Sequence, residues 1–265
     1  MICKTQMPEK FRKVIEDQLE KFKVKVIAEE VDKIPNVDKI PTEQSAKWLK
    51  IKDVVCVFVD MKNSTKLSAS HYAKTTAQVY TLFTGTAVRL FKSFGASYID
   101  IKGDGVFALF NYDQVHSALS AAVTFKTFVK EEFTTKVSNK TSVDTGVHIG
   151  IDQSTLIVSK IGLRKHESRG DMHNEVWAGK TVNMASKLAS LSKNDEIYVS
   201  PRFYEKLKSR KALYSCECTH KRHLWKKVNL NDKRFSFNHA HILESVWCKE
   251  HGSEYLEKII ANDKC

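Results

Sequence analysis

The chain has no apolar run long enough to cross a bilayer, which sets membrane-spanning functions aside. Its start, Met-Ile-Cys-Lys-Thr-Gln, lacks the charged region, apolar core and cleavage site of a secretory signal. Six cysteines follow no regular spacing. That argues against a disulfide framework and for reduced thiols in a cytosolic protein. No run of aromatics is interleaved with the basic residues, as stacking on nucleic-acid bases would require. The one repeat, Asp-Lys-Ile-Pro at 32–35 and again at 38–41, is too short for a solenoid.

What is present is 265 residues, 42% of them hydrophobic, enough for one large domain with appendages or two small ones. The net charge of +12 invites an anionic partner. Between Arg202 and Arg234 eleven Lys/Arg stand against three acids, so the excess sits late in the chain. Nucleotide phosphates, nucleic acid and plain solubility all accommodate that charge.

Two stretches organise the rest. Val54–Thr65 is an almost unbroken β-branched and aromatic run ending in Asp60, which suits a central strand buried on both faces. Tyr98–Phe110 reads as two strands around a Gly103-Asp104-Gly105 turn. Between them Tyr72, Val79, Tyr80, Phe83, Ala87, Leu90, Phe91 and Phe94 mark a helix. Strand, helix and hairpin bring Asp60 beside Asp104. Paired carboxylates at strand ends suit hard divalent cations that also hold phosphates, although each residue alone also suits a turn or a loop cap.

In chain order, residues 8–31 predict an amphipathic helix needing a partner surface, with Phe11, Val14, Ile15, Leu19, Phe22 and Val26 apolar. An extended linker holding Pro35 and Pro41 follows. After the hairpin comes a helix capped by Asp113, with Val115, Leu119, Ala122, Phe125 and Val129 on one face. A strand pair, Ser142–Asp152 and Thr155–Ile161, leads to a polar loop over Arg164–Asn174. Thr181–Leu191 reads as a helix and Glu196–Ser200 as a strand, and Pro201 opens a short helix at its first position. The fold class is α+β, a mostly antiparallel sheet covered by helices. Three parts follow: residues 1–49 as helix and linker, 50–208 as a catalytic domain, and 209–265 as a basic extension containing Cys, Trp and His.

Four segments in order resemble the class III nucleotide cyclases, whose fold is ferredoxin-like or palm-like. Phe58-Val-Asp-Met-x-x-Ser-Thr resembles the first metal motif, and Ile101-Lys-Gly-Asp-Gly the second. Val147-His-Ile-Gly-Ile-Asp resembles the Gly-Ile-His strand of relatives. Trp177-Ala-Gly-Lys-Thr-Val-Asn-Met-Ala-Ser-Lys-Leu resembles the helix that stabilises the transition state. The resemblance implies attack of a ribose 3′-hydroxyl on the α-phosphate, giving a 3′,5′-cyclic monophosphate and pyrophosphate. It implies two Mg²⁺ or Mn²⁺ ions in a metal set of Asp60, Met61 and Asp104. Met61–Thr65 would offer backbone N–H groups, and Thr65 its hydroxyl, to phosphate oxygens. Asn183 matches the transition-state asparagine. Lys187, one helical turn on, stands where relatives carry Arg, and keeps the charge but not the planar fork. No His or Glu occupies an obvious general-base position. The family splits each site across a dimer interface, the metals from one subunit and the base selector, Asn and Arg from the other, and this chain carries both halves, which implies a homodimer.

In purine cyclases one base selector lies three residues before the glycine of the second metal motif; here it is Asp100. Strand alternation sets Tyr98 and Lys102 beside it. The other selector is Val176 when counted back from Gly179, or Glu175 when aligned on the tryptophan. Neither gives the ATP-selecting pair. Ser64 in place of the usual Phe, Met61 after Asp60, Trp177-Ala178-Gly179 and the Cys/Trp/His tail resemble the pyrimidine cyclases of bacterial Pycsar antiphage systems. That implies UTP, or CTP, as substrate and a cyclic product that activates an effector. Guanylate or adenylate cyclase, a basic nucleic-acid-binding protein on a palm-like scaffold, and a catalytically dead nucleotide sensor are the competing readings. In the tail, Cys216, Cys218, Cys248 and His251 form a candidate structural zinc set, with thiols packed against Trp225 and Trp247 as the alternative.

Overall fold

The longest apolar run becomes the central strand of a single mixed sheet. The computed structural model describes residues 7–163, 172–193, 195–216, 218 and 220–264. The first half of the chain forms α1 (Glu9–Lys23), β1 (Ile27–Val31), β2 (Lys47–Lys62), α2 (Ser64–Ser70), α3 (Ala73–Ser93), β3 (Tyr98–Lys102), β4 (Gly105–Phe110), α4 (Val115–Phe128) and α5 (Thr134–Thr141). The second half forms β5 (Gly146–Leu163), β6 (Met172–Gly179), α6 (Lys180–Leu191), β7 (Ile197–Val199), α7 (Pro201–Tyr204), α8 (Arg210–Leu213), β8 (Trp225–Asn229), β9 (His239–Leu243) and α9 (Gly252–Ile260). Sheet order is β3-β4-β2-β5-β7-β9-β8, with β1 beside β2 and β6 beside β5. The β1–β2 and β5–β7 pairs are parallel and the others antiparallel.

Alternation along β2 assigns its two faces. Val55, Val57, Val59 and Met61 join Val79, Phe83, Ala87 and Phe91 of α3 and Phe125 of α4 in the larger core. There the Phe83 and Phe125 rings meet edge to face, their centroids 5.1 Å apart, a geometry that adds about 0.5–1.5 kcal/mol to the burial itself. Val54 and Cys56 face the other way, with Phe107, Leu109, Leu156, Val158 and Ala185 of α6.

Several expectations from the sequence give way. The helix predicted over 8–31 ends at Lys23; residues 27–31 add an edge strand to β2 instead, and no residue of α1 is buried. The Ile-Pro linker is packed: Ile34 and Ile40 are buried, and the Pro41 carbonyl accepts from Lys160 N at 2.8 Å and Ser159 Oγ at 3.0 Å. The strand pair predicted at 142–161 is one strand, β5. The irregularity lies opposite, in β2 between Ile51 and Val54, where Asp53 has φ 51°. Of the predicted loop over Arg164–Asn174, residues 172–174 belong to β6 and the rest lies outside the described residues.

Asp113 does not cap α4. The cap is Asp263, from the far end of the chain, whose carboxylate accepts from the N–H groups of His116 at 2.9 Å and Ser117 at 2.6 Å. An anion at the positive end of the helix satisfies donors that have no partner within it. The tail from Ala212, which reads as a separate kind of segment, continues the same sheet through β9 and β8.

Lys126 places an ionisable amine in the core. Lys126 is 1% exposed, and its Nζ donates to the carbonyls of Asp195 and Leu243, both at 3.0 Å. Burial pulls its pKa down to about 7. An unfolded chain holds this proton up to about pH 10, so folded and unfolded states differ by one proton between those values. Stability from this group therefore rises with pH across that window. Comparing Lys126→Met with wild type by thermal melting, the difference in Tm should move in favour of wild type between pH 7 and 9. Parallel pH profiles would show that Lys126 is not the group responsible.

Candidate functional site

Register gathers Asp60, Tyr98, Asp100 and Lys102 on one face of the sheet. Asp60 pairs with His148 on β5, Phe58 with Gly150, and Cys56 with Asp152. Val59 pairs with Val106 on β4, which leaves Asp60 beside Gly105 and the Asp104 turn. A Cβ on Gly105 would stand 3.1 Å from Asp60 Oδ1 and 3.2 Å from Phe58 Cζ, so a larger residue there would press on the Asp60 carboxylate over β4. Tyr98, Asp100 and Lys102 pair with Leu109, Phe107 and Gly105, which places them on this same face.

Among the described residues neither Asp60 nor Asp104 has a hydrogen-bond or ion-pair partner. Burial pushes the Asp60 pKa up to about 6, the Asp104 charge adds to that, and His148 opposes it. Two uncompensated carboxylates, one largely removed from water, fit a divalent cation. The Met61 side chain is 2% exposed in the core, so only its backbone is available to a metal. Thr65 is exposed on the first turn of α2. Asn63 makes the turn into that helix at φ 60°, and its Nδ2 donates to the Asp144 carbonyl at 2.7 Å.

His148 is a residue that sequence reasoning passed over. Its Nδ1 lies 2.7 Å from the Ser192 carbonyl. Since a carbonyl only accepts, Nδ1 carries the proton and Nε2 keeps a free lone pair in the neutral ring. The signal was in the motif, but only the β2–β5 register sets His148 opposite Asp60.

Farther along the face, Lys102 Nζ lies 2.9 Å from Asp100 Oδ2. The Tyr98 hydroxyl donates to Glu175 Oε2 at 3.3 Å, and the Tyr98 and Trp177 ring centroids are 4.7 Å apart. Burial pushes the Tyr98 pKa up, so the hydroxyl keeps its proton near neutrality. Of the two alignments for the second selector, the structure brings Glu175 to this wall. Val176 turns to the opposite side of β6 and is 40% exposed.

α6 lies across the sheet at Gly150. A Cβ there would fall 2.0 Å from the Ala185 carbonyl oxygen and 2.4 Å from Ala189 N. Ala185 and Ala189 are buried. Asn183 is two residues from Ala185, about 200° around the helix at 3.6 residues per turn, so it points away from the sheet, and it is exposed. Lys187 shares its direction, and its Nζ donates to the Arg234 carbonyl at 3.0 Å. Among the described residues no hydrogen bond or ion pair joins Asn183 or Lys187 to Asp60 or Asp104. One chain thus presents the two sets apart.

In the tail the ligand atoms of Cys216, Cys218, Cys248 and His251 all lie within 4.8 Å of one another.

Comparison with known proteins agrees with this geometry. The profile of the adenylate and guanylate cyclase catalytic domain matches residues 47–233. The chain is 34% identical over 243 residues to a uridylate cyclase of Propioniciclava tarda, covering 89% of this chain and 78% of that one. It is 32% identical over 229 residues to a uridylate cyclase of Micromonospora echinofusca, covering 83% and 73%. In fold it resembles the adenylyl cyclase CyaB of P. aeruginosa, with a TM-score of 0.61, 17% identity, and coverage of 76% of this chain and 97% of that one. The guanylate cyclase domain of RhGC from Catenaria anguillulae gives a TM-score of 0.57 at 17% identity, covering 73% and 97%.

The Asp60 pKa gives a signed test. Below about pH 6 the carboxyl holds a proton that a cation must displace. The apparent Mn²⁺ affinity, measured by calorimetry, should be flat above that pH and fall up to about tenfold per unit below it, one proton being about 1.4 kcal/mol per pH unit. In Asp60→Asn the affinity should be low and this pH dependence lost. A wild-type profile unchanged from pH 7 to 5 would remove Asp60 from the metal set.

Proposed function

The chain belongs to the adenylate and guanylate cyclase catalytic-domain family, and from that premise we propose that it converts UTP, or CTP, into the 3′,5′-cyclic monophosphate and pyrophosphate at sites shared between two copies of itself. It is a nucleotide cyclase, and its family uses divalent metal ions and nucleotide substrates. The pyrimidine, the identity of the ions and the homodimer are our reading. One observation carries it: a single sheet face holds Asp60, Asp104, Asp100, Tyr98 and Glu175, while Asn183 and Lys187 point outward from the helix above it.

Asp60 and Asp104, with the Met61 backbone, would hold two Mg²⁺ or Mn²⁺ ions, which when bound acidify the ribose 3′-hydroxyl and neutralise the departing pyrophosphate. The chain's own residues do the rest. The Asn63–Thr65 turn offers the Thr65 hydroxyl and backbone donors to phosphate oxygens. A second copy supplies the base selector Asp100, Asn183 to orient the ribose and the Lys187 ammonium to meet charge that builds at the α-phosphate. Since Asn183 and Lys187 face away from their own carboxylates, each site needs both copies.

The Tyr98, Phe107 and Trp177 rings form a wall for a flat base, and Asp100 with Lys102 presents an acceptor beside a donor. Asp100 can accept from uracil N3–H or from the cytosine amine, so the carboxylate alone does not separate them. The choice of uracil rests on the relatives named uridylate cyclases. We further assign the product to signalling in antiphage defence in the cytosol, on the resemblance to pyrimidine cyclases of such systems. No described helix is long and apolar enough to cross a membrane. For function we divide the chain into an N-terminal helix and linker over 1–49, the catalytic part over 50–208 and an extension over 209–265.

Mixing inactive Asp60→Asn with inactive Asn183→Ala should restore part of the activity, since a heterodimer holds one complete site. If subunit exchange is demonstrated and no activity returns, the shared site is wrong. Presented with each of the four ribonucleoside triphosphates and Mn²⁺, wild type should favour UTP or CTP over GTP and ATP. Removing the carboxylate in Asp100→Ala leaves a donating base edge unpaired, at about 1–3 kcal/mol. That is a loss of roughly tenfold to a hundredfold in kcat/KM for the pyrimidine. Equal wild-type activity on GTP, or an unchanged preference in Asp100→Ala, would place base reading elsewhere.

A further inference from the structure

The β8–β9 hairpin reaches from a cluster of thiols at its base to the α6 helix at its tip. At the tip, Leu230, Phe235 and Phe237 pack with Met184 and Leu188 of α6, and Lys187 Nζ bonds the Arg234 carbonyl. At the base, Cys216 and Cys218 come from the segment before β8, and Cys248 and His251 from the segment between β9 and α9. Cys216 and Cys218 Sγ are 3.5 Å apart, Cys218 and Cys248 Sγ 3.4 Å, and Cys218 Sγ lies 2.9 Å from His251 Nδ1.

A shared ligand accounts for this grouping better than a disulfide or core packing does. A disulfide needs sulfurs about 2.05 Å apart, and all three cysteines are free. Buried thiols packing as small apolar groups would sit inside the core, yet Cys218 is exposed and the other two are only half-buried. A tetrahedron with metal–sulfur bonds of about 2.3 Å and a metal–nitrogen bond of about 2.0 Å has edges of about 3.5–3.8 Å. Its sulfur–sulfur edge is the end at about 3.8 Å and its sulfur–nitrogen edge the end at about 3.5 Å. The sulfur pairs, at 3.5 and 3.4 Å, and the sulfur–nitrogen contact, at 2.9 Å, lie inside those lengths, and all four ligand atoms lie within 4.8 Å of one another. Cys248 Sγ also accepts hydrogen bonds from the backbone N–H groups of His251 and Glu250, which suits a thiolate rather than a thiol. Three thiolates and one imidazole are soft ligands that favour zinc over the hard Mg²⁺ or Mn²⁺ of a carboxylate site.

We propose that Cys216, Cys218, Cys248 and His251 bind one structural zinc ion that clasps the base of the β8–β9 hairpin and so holds its tip against α6. The four ligands complete a closed tetrahedral set, and the ion does no chemistry on substrate. It ties two segments about thirty residues apart at the foot of the hairpin that meets the helix bearing Asn183 and Lys187.

Protein purified under reducing conditions without chelator should contain about one zinc per chain by elemental analysis, and Cys248→Ser and His251→Ala should lose most of it. Because either variant may fold poorly, wild type is also stripped and reloaded with Co²⁺. A thiolate-to-cobalt charge-transfer band with intense tetrahedral d–d absorption, abolished by one equivalent of Zn²⁺, is expected. Folded wild-type protein with no zinc and only weak octahedral cobalt absorption would overturn the proposal. So would full zinc retention in both folded variants, or a mass two units low without reductant that marks a disulfide among these cysteines.

Discussion

The structure depends on a contact with no room in it. At Gly150 the backbone of α6 rests on β5 so closely that a single Cβ would strike the Ala185 carbonyl oxygen at 2.0 Å. Interiors packed to crystal-like density cannot absorb such an overlap by small adjustments. The height of α6 over the sheet is therefore set by backbone against backbone. That height fixes which helical positions are buried, and hence that Asn183 and Lys187 leave the helix in the opposite direction. It also leaves the rest of this face, from Asp60 to Asp100, uncovered by any other helix among the described residues. The opposite face, under α3 and α4, is fully packed. An asymmetric sheet, closed on one side and partly open on the other, is what a site completed by a second chain requires.

Much of this was legible because strong local patterns agree with the fold. The run ending in Asp60, the Gly103-Asp104-Gly105 turn and the helix over Thr181–Leu191 all appear where their periodicity puts them. The failures share a cause: each depends on a partner far away in sequence. Gln153 sits where a turn was expected, but its Nε2 donates to the Asp53 carbonyl at 3.0 Å, so the irregularity belongs to β2 and β5 runs straight past it. Asp113 has the composition of a cap, yet Asp263, one hundred and fifty residues later, takes the position. His148 is an ordinary strand residue until register aligns it with Asp60, and the choice between Glu175 and Val176 is settled by which of them reaches Tyr98 from another part of the sheet. Local sequence carries period and punctuation; it does not carry which strand lies next to which.

Charge is handled in three different ways in this molecule. Asp152 is fully buried and is met by the Arg202 guanidinium through two parallel hydrogen bonds, so its charge is paired where it stands. Lys126 is buried against carbonyl oxygens alone, and burial draws its pKa toward neutrality. Asp60 and Asp104 are paired by nothing described in the chain. Asp60 is moved toward neutrality like Lys126, but with a second carboxylate beside it and no cationic partner described, an arrangement that suits an external cation in the proposed reaction.

In the proposed reaction Lys187, where the resemblance implies an arginine, is placed by the same architecture. A guanidinium arrives with its donors fixed in a planar fork, so it needs little help to grip two phosphate oxygens. An ammonium has three donors that rotate about a flexible stem, and orienting it costs side-chain entropy. In this chain the Arg234 carbonyl occupies one of the three donors and fixes the stem, leaving two donors in a set direction. Asp232 stands beside it, held by Arg234 through its own carboxylate. The extension would thereby supply to that reaction, from outside the helix, the orientation that an arginine carries within its own side chain. In the proposed reaction, the tip of the β8–β9 hairpin and the lysine on α6 form one functional unit, and the substitution in the helix is intelligible only with the tail in place.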